Sequence, residues 1–251
     1  MNLLKPISVG GIEIGTGMPK ICVPITGKTK EEVLQQAERI KEKAPDLVEW
    51  RGDLFESVLD EKETDDTIEA LHKILGEIPL LFTFRTAKEG GNRDLSLEEY
   101  VALNLRMAAS SYISLIDVEI YRGEMEPLVT ALKEQGKVVI GSHHRFDGTP
   151  TKDEMVEVLE YIEKNGADIL KLAVMPHNEQ DVELLLQATN EAVCIKVNHP
   201  VVTMSMGELG LKSRICGKIY GSTITFACVG EASAPGQIEI EELRDAMAQL
   251  A

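Results

Sequence analysis

Cysteine is scarce and scattered in this chain. Its four residues, Cys22, Cys194, Cys216 and Cys228, make no C-x-x-C pair. That excludes a disulfide framework or a cysteine zinc site and leaves reduced structural thiols. No apolar stretch approaches the length of a membrane span, and no basic region followed by an apolar block opens the N-terminus, so a cytoplasmic protein is expected. Positive charge is in deficit: 26 Lys and Arg against 42 Asp and Glu leave a net charge of -16. Nucleic acid and anionic membranes are therefore poor partners. None of the five histidines pairs at the i, i+4 spacing of a helical metal site, and no G-x-G-x-x-G follows the first strand-like run. No linker, internal repeat or low-complexity tract divides the chain, so residues 1–251 read as one domain.

What is present is an alternation. Eight apolar runs, rich in Val, Ile and Leu, read as strands buried on both faces. They are Lys20–Ile25, Leu47–Arg51, Leu80–Arg85, Tyr112–Glu119, Lys137–His143, Asp168–Ala173, Val201–Met206 and Ser222–Ala227. Helical patterns lie between them. Thr29–Lys43, Ser96–Ser110 and Thr151–Asn165 each open with a hydroxyl residue followed three positions on by glutamate (Thr29 and Glu32, Ser96 and Glu99, Thr151 and Glu154), the signature of a capping box. Met125–Gln135 ends at Gly136, and Glu179–Ile195 places Val182, Leu185, Leu186, Thr189 and Val193 on one face. Strand-then-helix units of this number and size predict an α/β fold, a (β/α)₈ TIM barrel; a doubly wound open sheet is the second choice. Ile7–Ile14 alternates around Gly10-Gly11 and predicts an N-terminal β-hairpin closing the bottom of the barrel.

One strand carries an anomaly. Lys171 sits within Asp168-Ile169-Leu170-Lys171-Leu172-Ala173-Val174. An ammonium is costly to bury among aliphatic side chains, and burial favours the neutral amine, a nucleophile for ketones and aldehydes. The alternative is a side chain that points outward and keeps its head in water. Chemistry in such barrels sits at the C-terminal strand ends. There the sequence places Glu49 and Arg51, Arg85 with Lys88 and Glu89, Asp117 and Glu119, His143 and His144, and Lys171. Consecutive strand residues face opposite ways, so at most one of the two histidines enters the centre. Arg214 either caps a helix end or forks onto a substrate carboxylate. The hinge-rich Ala232–Gln237, within the loop Val229–Gln237, reads as a lid or as an ordinary loop.

Several separated segments, in order, resemble one known family. They include Glu49-Trp50-Arg51-Gly52-Asp53, Phe84–Gly91, Asp117-Val118-Glu119, Ser142–Phe146, Lys171-Leu172-Ala173, Thr203–Gly207, Ser213-Arg214 and Ala232–Gln237. The chain resembles type I 3-dehydroquinate dehydratase, the Schiff-base enzyme of the shikimate pathway. The resemblance implies a TIM barrel, a homodimer, no metal and no cofactor. It implies that Lys171 forms an imine with the ketone of 3-dehydroquinate, that His144 is the catalytic histidine, and that Glu89 holds its ring. Arg214 is implied to bind the substrate carboxylate. Glu49, Arg51, Arg85, Ser233 and Gln237 would hold hydroxyls and carboxylate, and Met204, Met206 and Phe226 would line the pocket. Arg145, where the family motif is often acidic or amidic, is a departure that bears on the electrostatics around His144. Three other readings stay open: a class I aldolase, weakened because no Gly-rich phosphate loop follows the last two strands; a non-catalytic binder of small carboxylates; and a metal-dependent hydrolase.

Overall fold

The computed structural model describes residues 4–230 and 232–250; Glu231, in the predicted loop Val229–Gln237, lies outside them, as do residues 1–3 and 251. The chain enters through an antiparallel hairpin, β1 (Ile7–Val9) and β2 (Ile12–Ile14), which turns at Gly10-Gly11. Eight parallel strands follow: β3 (Lys20–Ile25), β4 (Leu47–Arg51), β5 (Leu80–Thr83), β6 (Leu115–Glu119), β7 (Val138–Arg145), β8 (Ile169–Val174), β9 (Val201–Ser205) and β10 (Ile224–Phe226). Each pairs with its sequence neighbour from β3 to β9, and β10 pairs back onto β3. The β9–β10 seam is narrower. Thr223 N–H donates to Val201 O at 2.8 Å and Thr203 N–H to the Ser222 hydroxyl at 3.1 Å, and these bonds bring the sheet round into a barrel.

The helices that cover it are α1 (Lys30–Glu42), α2 (Glu61–Leu75), α3 (Leu97–Ala109), α4 (Glu126–Glu134), α5 (Lys152–Lys164), α6 (Glu179–Glu191), α7 (Leu211–Ile215), α8 (Gly217–Tyr220) and α9 (Ile240–Ala248). Ser96 and Thr151 form complete capping boxes with Glu99 and Glu154. At α1 only half of one forms: the Thr29 hydroxyl accepts from Glu32 N–H, but the Glu32 carboxylate accepts from Lys28 N–H at 2.7 Å instead. Beyond Glu191, α6 continues as a wider π-turn over Ala192–Lys196, so the helical path reaches past Ile195 as its apolar spacing predicts. Helix α2 was not apparent from apolar spacing. Its buried stripe includes Thr64 and Thr67, whose hydroxyls donate to backbone carbonyls of Ser57, Val58 and Glu63, which weakens the apolar period.

Strand alternation divides the core in two. Outward residues such as Val48, Trp50, Phe82 and Leu170 pack against the helices. Inward residues Leu47, Leu81, Leu115, Ile140, Ile169, Val202 and Ile224 form a separate cluster with Val9 and Ile14 of the hairpin, which thereby fills the bottom of the barrel. Burial on both faces is why the strand segments read as continuous apolar runs; each fully buried Leu or Ile contributes about 1.5–3 kcal/mol relative to exposure. Gly141 of β7 is glycine because a β-carbon would stand 2.5 Å from Ile162 Cγ2 of α5. Above the apolar floor the inward positions of β4 to β8 turn polar at Glu49, Thr83, Asp117, Ser142 and Lys171, while Met204, Met206 and Phe226 stay apolar.

Candidate active site

Two residues above the apolar Ile169 of β8, and on the same inward face, stands Lys171. It is 4% exposed. Its flanking Leu170 and Leu172 belong to the outer layer, so the amine is not surrounded by the aliphatic residues beside it in sequence. Its nearest neighbours are ions. Asp117 Oδ2 of β6 lies 3.1 Å from Nζ, Glu49 Oε1 of β4 lies 4.0 Å away, and the Phe226 ring of β10 stands with its centroid at 4.6 Å. Glu49 is itself held by the Thr83 hydroxyl, which donates at 2.8 Å.

Arg85 ties the next layer together. Its guanidinium donates to Asp117 Oδ1 at 2.7 Å, to the Ser142 hydroxyl at 3.0 Å and to Glu119 Oε1 at 3.2 Å. Breaking such a buried network would leave charges uncompensated. Burial alone would raise the Asp117 carboxyl, but the attraction of Arg85 and Lys171 wins and holds it well below the usual range. Arg51 forks onto Asp53 at 2.7 and 2.8 Å, which aligns it at the rim of β4.

Glu89 comes from a single 3₁₀ turn, Ala87–Glu89, just past β5. Gly90 follows with φ +83°, and a side chain there would run into the Phe146 ring. The Glu89 carboxylate lies 3.0 Å from His143 Nδ1 and 2.9 Å from His144 Nδ1. Burial pushes this carboxyl up, but the two imidazoles and Arg85 bring it down to about 2. An ionised carboxylate only accepts hydrogen bonds, so both rings carry their proton on Nδ1. His144 is held neutral: burial and the nearby Arg85 outweigh Glu89 and lower it to about 3. A neutral ring with Nδ1–H has a free lone pair on Nε2, the requirement for a base. Arg145, the departure from the family motif, is directed away: its guanidinium forks onto Asp147 at 2.8 and 2.9 Å.

These depressed values fix the sign of an acid effect. Between pH 6.5 and about 3 the unfolded chain protonates His144 while the folded one does not, and between 4.5 and about 2 the same holds for Glu89. Both groups therefore contribute stability at neutral pH that is lost as pH falls through those windows. Urea titrations at pH 7, 5 and 4 are expected to show falling stability, and His144→Gln should flatten the fall between pH 6.5 and 4.5. An equally steep fall in the variant would contradict this.

Arg214, on α7, differs from the other arginines. It donates to Pro235 O at 3.0 Å and approaches Met204 Sδ at 4.0 Å. Among the described residues no carboxylate pairs with it, and burial lowers its guanidinium to about 10. The Pro235 carbonyl also accepts from Gly207 N–H at 3.1 Å. That bond draws the segment 232–237 over the barrel mouth. Within the segment, Gln237 Oε1 accepts from the N–H and hydroxyl of Ser233 at 2.8 and 3.1 Å.

One cavity at the C-terminal end of the barrel is lined by Lys171, His144, Glu89, Glu49, Arg51, Arg85, Arg214, Ser233, Gln237, Met204, Met206 and Phe226, the site residues named from sequence. Thr83, Phe146, Ala173 and Pro235 also line it. His143 does not; it faces a neighbouring cavity. His177 and His199 lie elsewhere, against Asp147 O and Glu163. Asp117, which the sequence placed at a strand end without assigning it a role, is the counter-ion shared by Lys171 and Arg85. Its signal was present: in Leu115-Ile116-Asp117 it falls two residues after an inward leucine.

A sequence model of the type I 3-dehydroquinase family matches residues 21–251. The chain belongs to this family. A 3-dehydroquinate dehydratase from Clostridioides difficile is 43% identical over 246 residues, spanning 97% of this chain and 96% of that protein. A type I 3-dehydroquinate dehydratase from Clostridium difficile has been solved with covalently modified comenic acid. Its structure superposes with a TM-score of 0.95 at 42% identity, covering 98% of each chain. The 3-dehydroquinate dehydratase of Geobacillus kaustophilus also superposes at 0.95, with 40% identity over 100% of this chain and 98% of that one. As in these type I 3-dehydroquinases, the fold is a (β/α)₈ barrel. Among the described residues no helix is long and apolar enough to cross a membrane.

Proposed function

We propose that this chain dehydrates 3-dehydroquinate to 3-dehydroshikimate, in the shikimate pathway, through an imine on Lys171. The observation that carries this reading is a buried lysine amine sharing one cavity with an imidazole whose Nδ1 is held by the Glu89 carboxylate. The family membership supports it, as does the covalently modified comenic acid in the Clostridium difficile structure. Homodimeric assembly and a cytoplasmic location belong to the same reading and rest on family membership.

The steps follow from the geometry. Lys171 gives up one proton, its neutral amine adds to the ring ketone, and the carbinolamine takes a proton back as it loses water, leaving a protonated imine. Its positive charge replaces that of the ammonium, so Asp117 and Glu49 remain its counter-ions and the Phe226 ring remains beneath it. His144 Nε2 removes the adjacent C–H proton, and the electron pair flows into the imine to give a neutral enamine rather than an enolate. The enamine expels the β-hydroxyl, which leaves as water with the proton from His144. Hydrolysis then returns the amine and releases the conjugated ketone. Net, one water is lost.

Arg214, paired with no carboxylate among the described residues, supplies a charge for the substrate carboxylate. Arg214→Met is expected to raise KM roughly 10–100-fold with a smaller change in kcat, the scale of losing a hydrogen-bonded charge of about 1.5–3 kcal/mol. Steady-state kinetics check it; an unchanged KM would assign the carboxylate elsewhere. Enone formation on incubation with 3-dehydroquinate, set against sugar-phosphate ketones, tests the reaction class. Cleavage of the latter without dehydration of the former would favour an aldolase. Tight binding without turnover would favour a binder.

A further inference from the structure

His143 has no part in the steps above, yet its ring is bound to the carboxylate that serves His144. The two oxygens of Glu89 are not equally held. Around Oε2 stand His144 Nδ1 at 2.9 Å, His144 N–H at 3.1 Å and Arg85 Nη1 at 3.5 Å. On Oε1, among the described residues, the hydrogen-bonding partner is His143 Nδ1 at 3.0 Å. The terminal torsion of a glutamate is broad. A donor on Oε2 alone leaves the carboxylate plane free to turn about it, and a second donor on Oε1 stops the rotation.

His143 is itself fixed from outside. On β7 it faces away from the side that His144 takes. Its ring lies 4.6 Å from that of Tyr121, which stacks on Tyr161 at 5.0 Å. The adjoining cavity it faces also carries Lys88, Arg122, Arg145 and Asp147. His143 thus reaches Glu89 from the side of the adjoining cavity and does not line the substrate cavity.

We infer that His143 is a positioning residue which, through Glu89, keeps His144 in the Nδ1–H tautomer with Nε2 free toward the substrate. Which ring nitrogen carries the proton is set by the bond the other one makes, so a carboxylate that turns away loosens the tautomer. The effect on turnover rests on the dehydratase reading; the effect on the tautomer does not.

Two substitutions separate the roles of this ring. His143→Phe keeps the stack on Tyr121 and removes the donor. His143→Asn places an amide N–H near the position of Nδ1. The readouts are the His144 tautomer, from ¹⁵N–¹H spectra of histidine-labelled protein at pH 7, together with kcat and KM on 3-dehydroquinate. In the native protein His144 is expected as Nδ1–H. In His143→Phe its signals should move toward the Nε2–H form, and kcat should fall about tenfold with KM within about twofold, the scale of one charge-assisted hydrogen bond. His143→Asn should restore the tautomer and bring kcat to within about threefold of native.

An Nε2–H ring in native protein would overturn the inference without any variant. So would an unshifted tautomer in His143→Phe, a loss of kcat with no change of tautomer, or no rescue by asparagine. If the phenylalanine variant does not fold, as judged by circular dichroism, His143→Leu carries the same comparison. A native protein that binds but does not dehydrate 3-dehydroquinate would sink the dehydratase reading alone, and the spectra would still decide the positioning role.

Discussion

Lys171→Met is expected to give no borohydride-trapped adduct and to lower kcat by on the order of 10⁵-fold or more, as removal of a covalent nucleophile does elsewhere. Methionine fills nearly the same volume, so packing against Phe226 survives. What goes is the amine, and with it the electron sink. The substitution also strips Glu49 and Asp117 of one counter-ion. Asp117 keeps Arg85 at 2.7 Å and Glu49 keeps the Thr83 hydroxyl at 2.8 Å, so the barrel is expected to fold, with a lowered melting temperature. A folded Lys171→Met protein that dehydrated 3-dehydroquinate at more than a few per cent of the native rate would mean that the lysine acts only as a charge.

His144→Ala should separate bond formation from elimination. The amine and its counter-ions are untouched, so the imine still forms. Proton removal and delivery to the leaving hydroxyl lose their general base and acid, a cost of about 10²–10⁴-fold in kcat. The expected sign is accumulation: intact-protein mass spectra of the variant after incubation with substrate should show the covalent species at higher occupancy than in native enzyme. Glu89 then retains His143 on one oxygen and Arg85 at 3.5 Å from the other. Full turnover by this variant would assign the proton transfers to another group. His143 would be the first to examine, though its ring lies outside the substrate cavity.

Much of this site was legible because parallel strands impose a strict parity. The inward register that carries Leu47, Glu49 and Arg51, or Ile169, Lys171 and Ala173, follows from alternation once the strands are located. The C-terminal placement of the polar residues follows from the barrel. The hairpin plug was legible from Gly10-Gly11 between alternating isoleucines and valine. Two things at the site were not. Lys171 looked aliphatically surrounded because its sequence neighbours are apolar, whereas its spatial neighbours come from β4, β6 and β10. Parity also allowed only one of His143 and His144 into the centre, but gave no hint that a carboxylate from the turn after β5 would reach both histidine rings. Such contacts depend on how a loop closes over a strand end. Helix α2 was hidden for a local reason, two threonines in its buried stripe that satisfy their hydroxyls on backbone carbonyls.

The measurement that tests the account most directly is borohydride reduction of the native protein during turnover of 3-dehydroquinate, followed by peptide mass mapping. The account predicts one stable adduct, on Lys171, with loss of activity in proportion to its occupancy. Good dehydration activity with no adduct, or an adduct on another lysine, would contradict it.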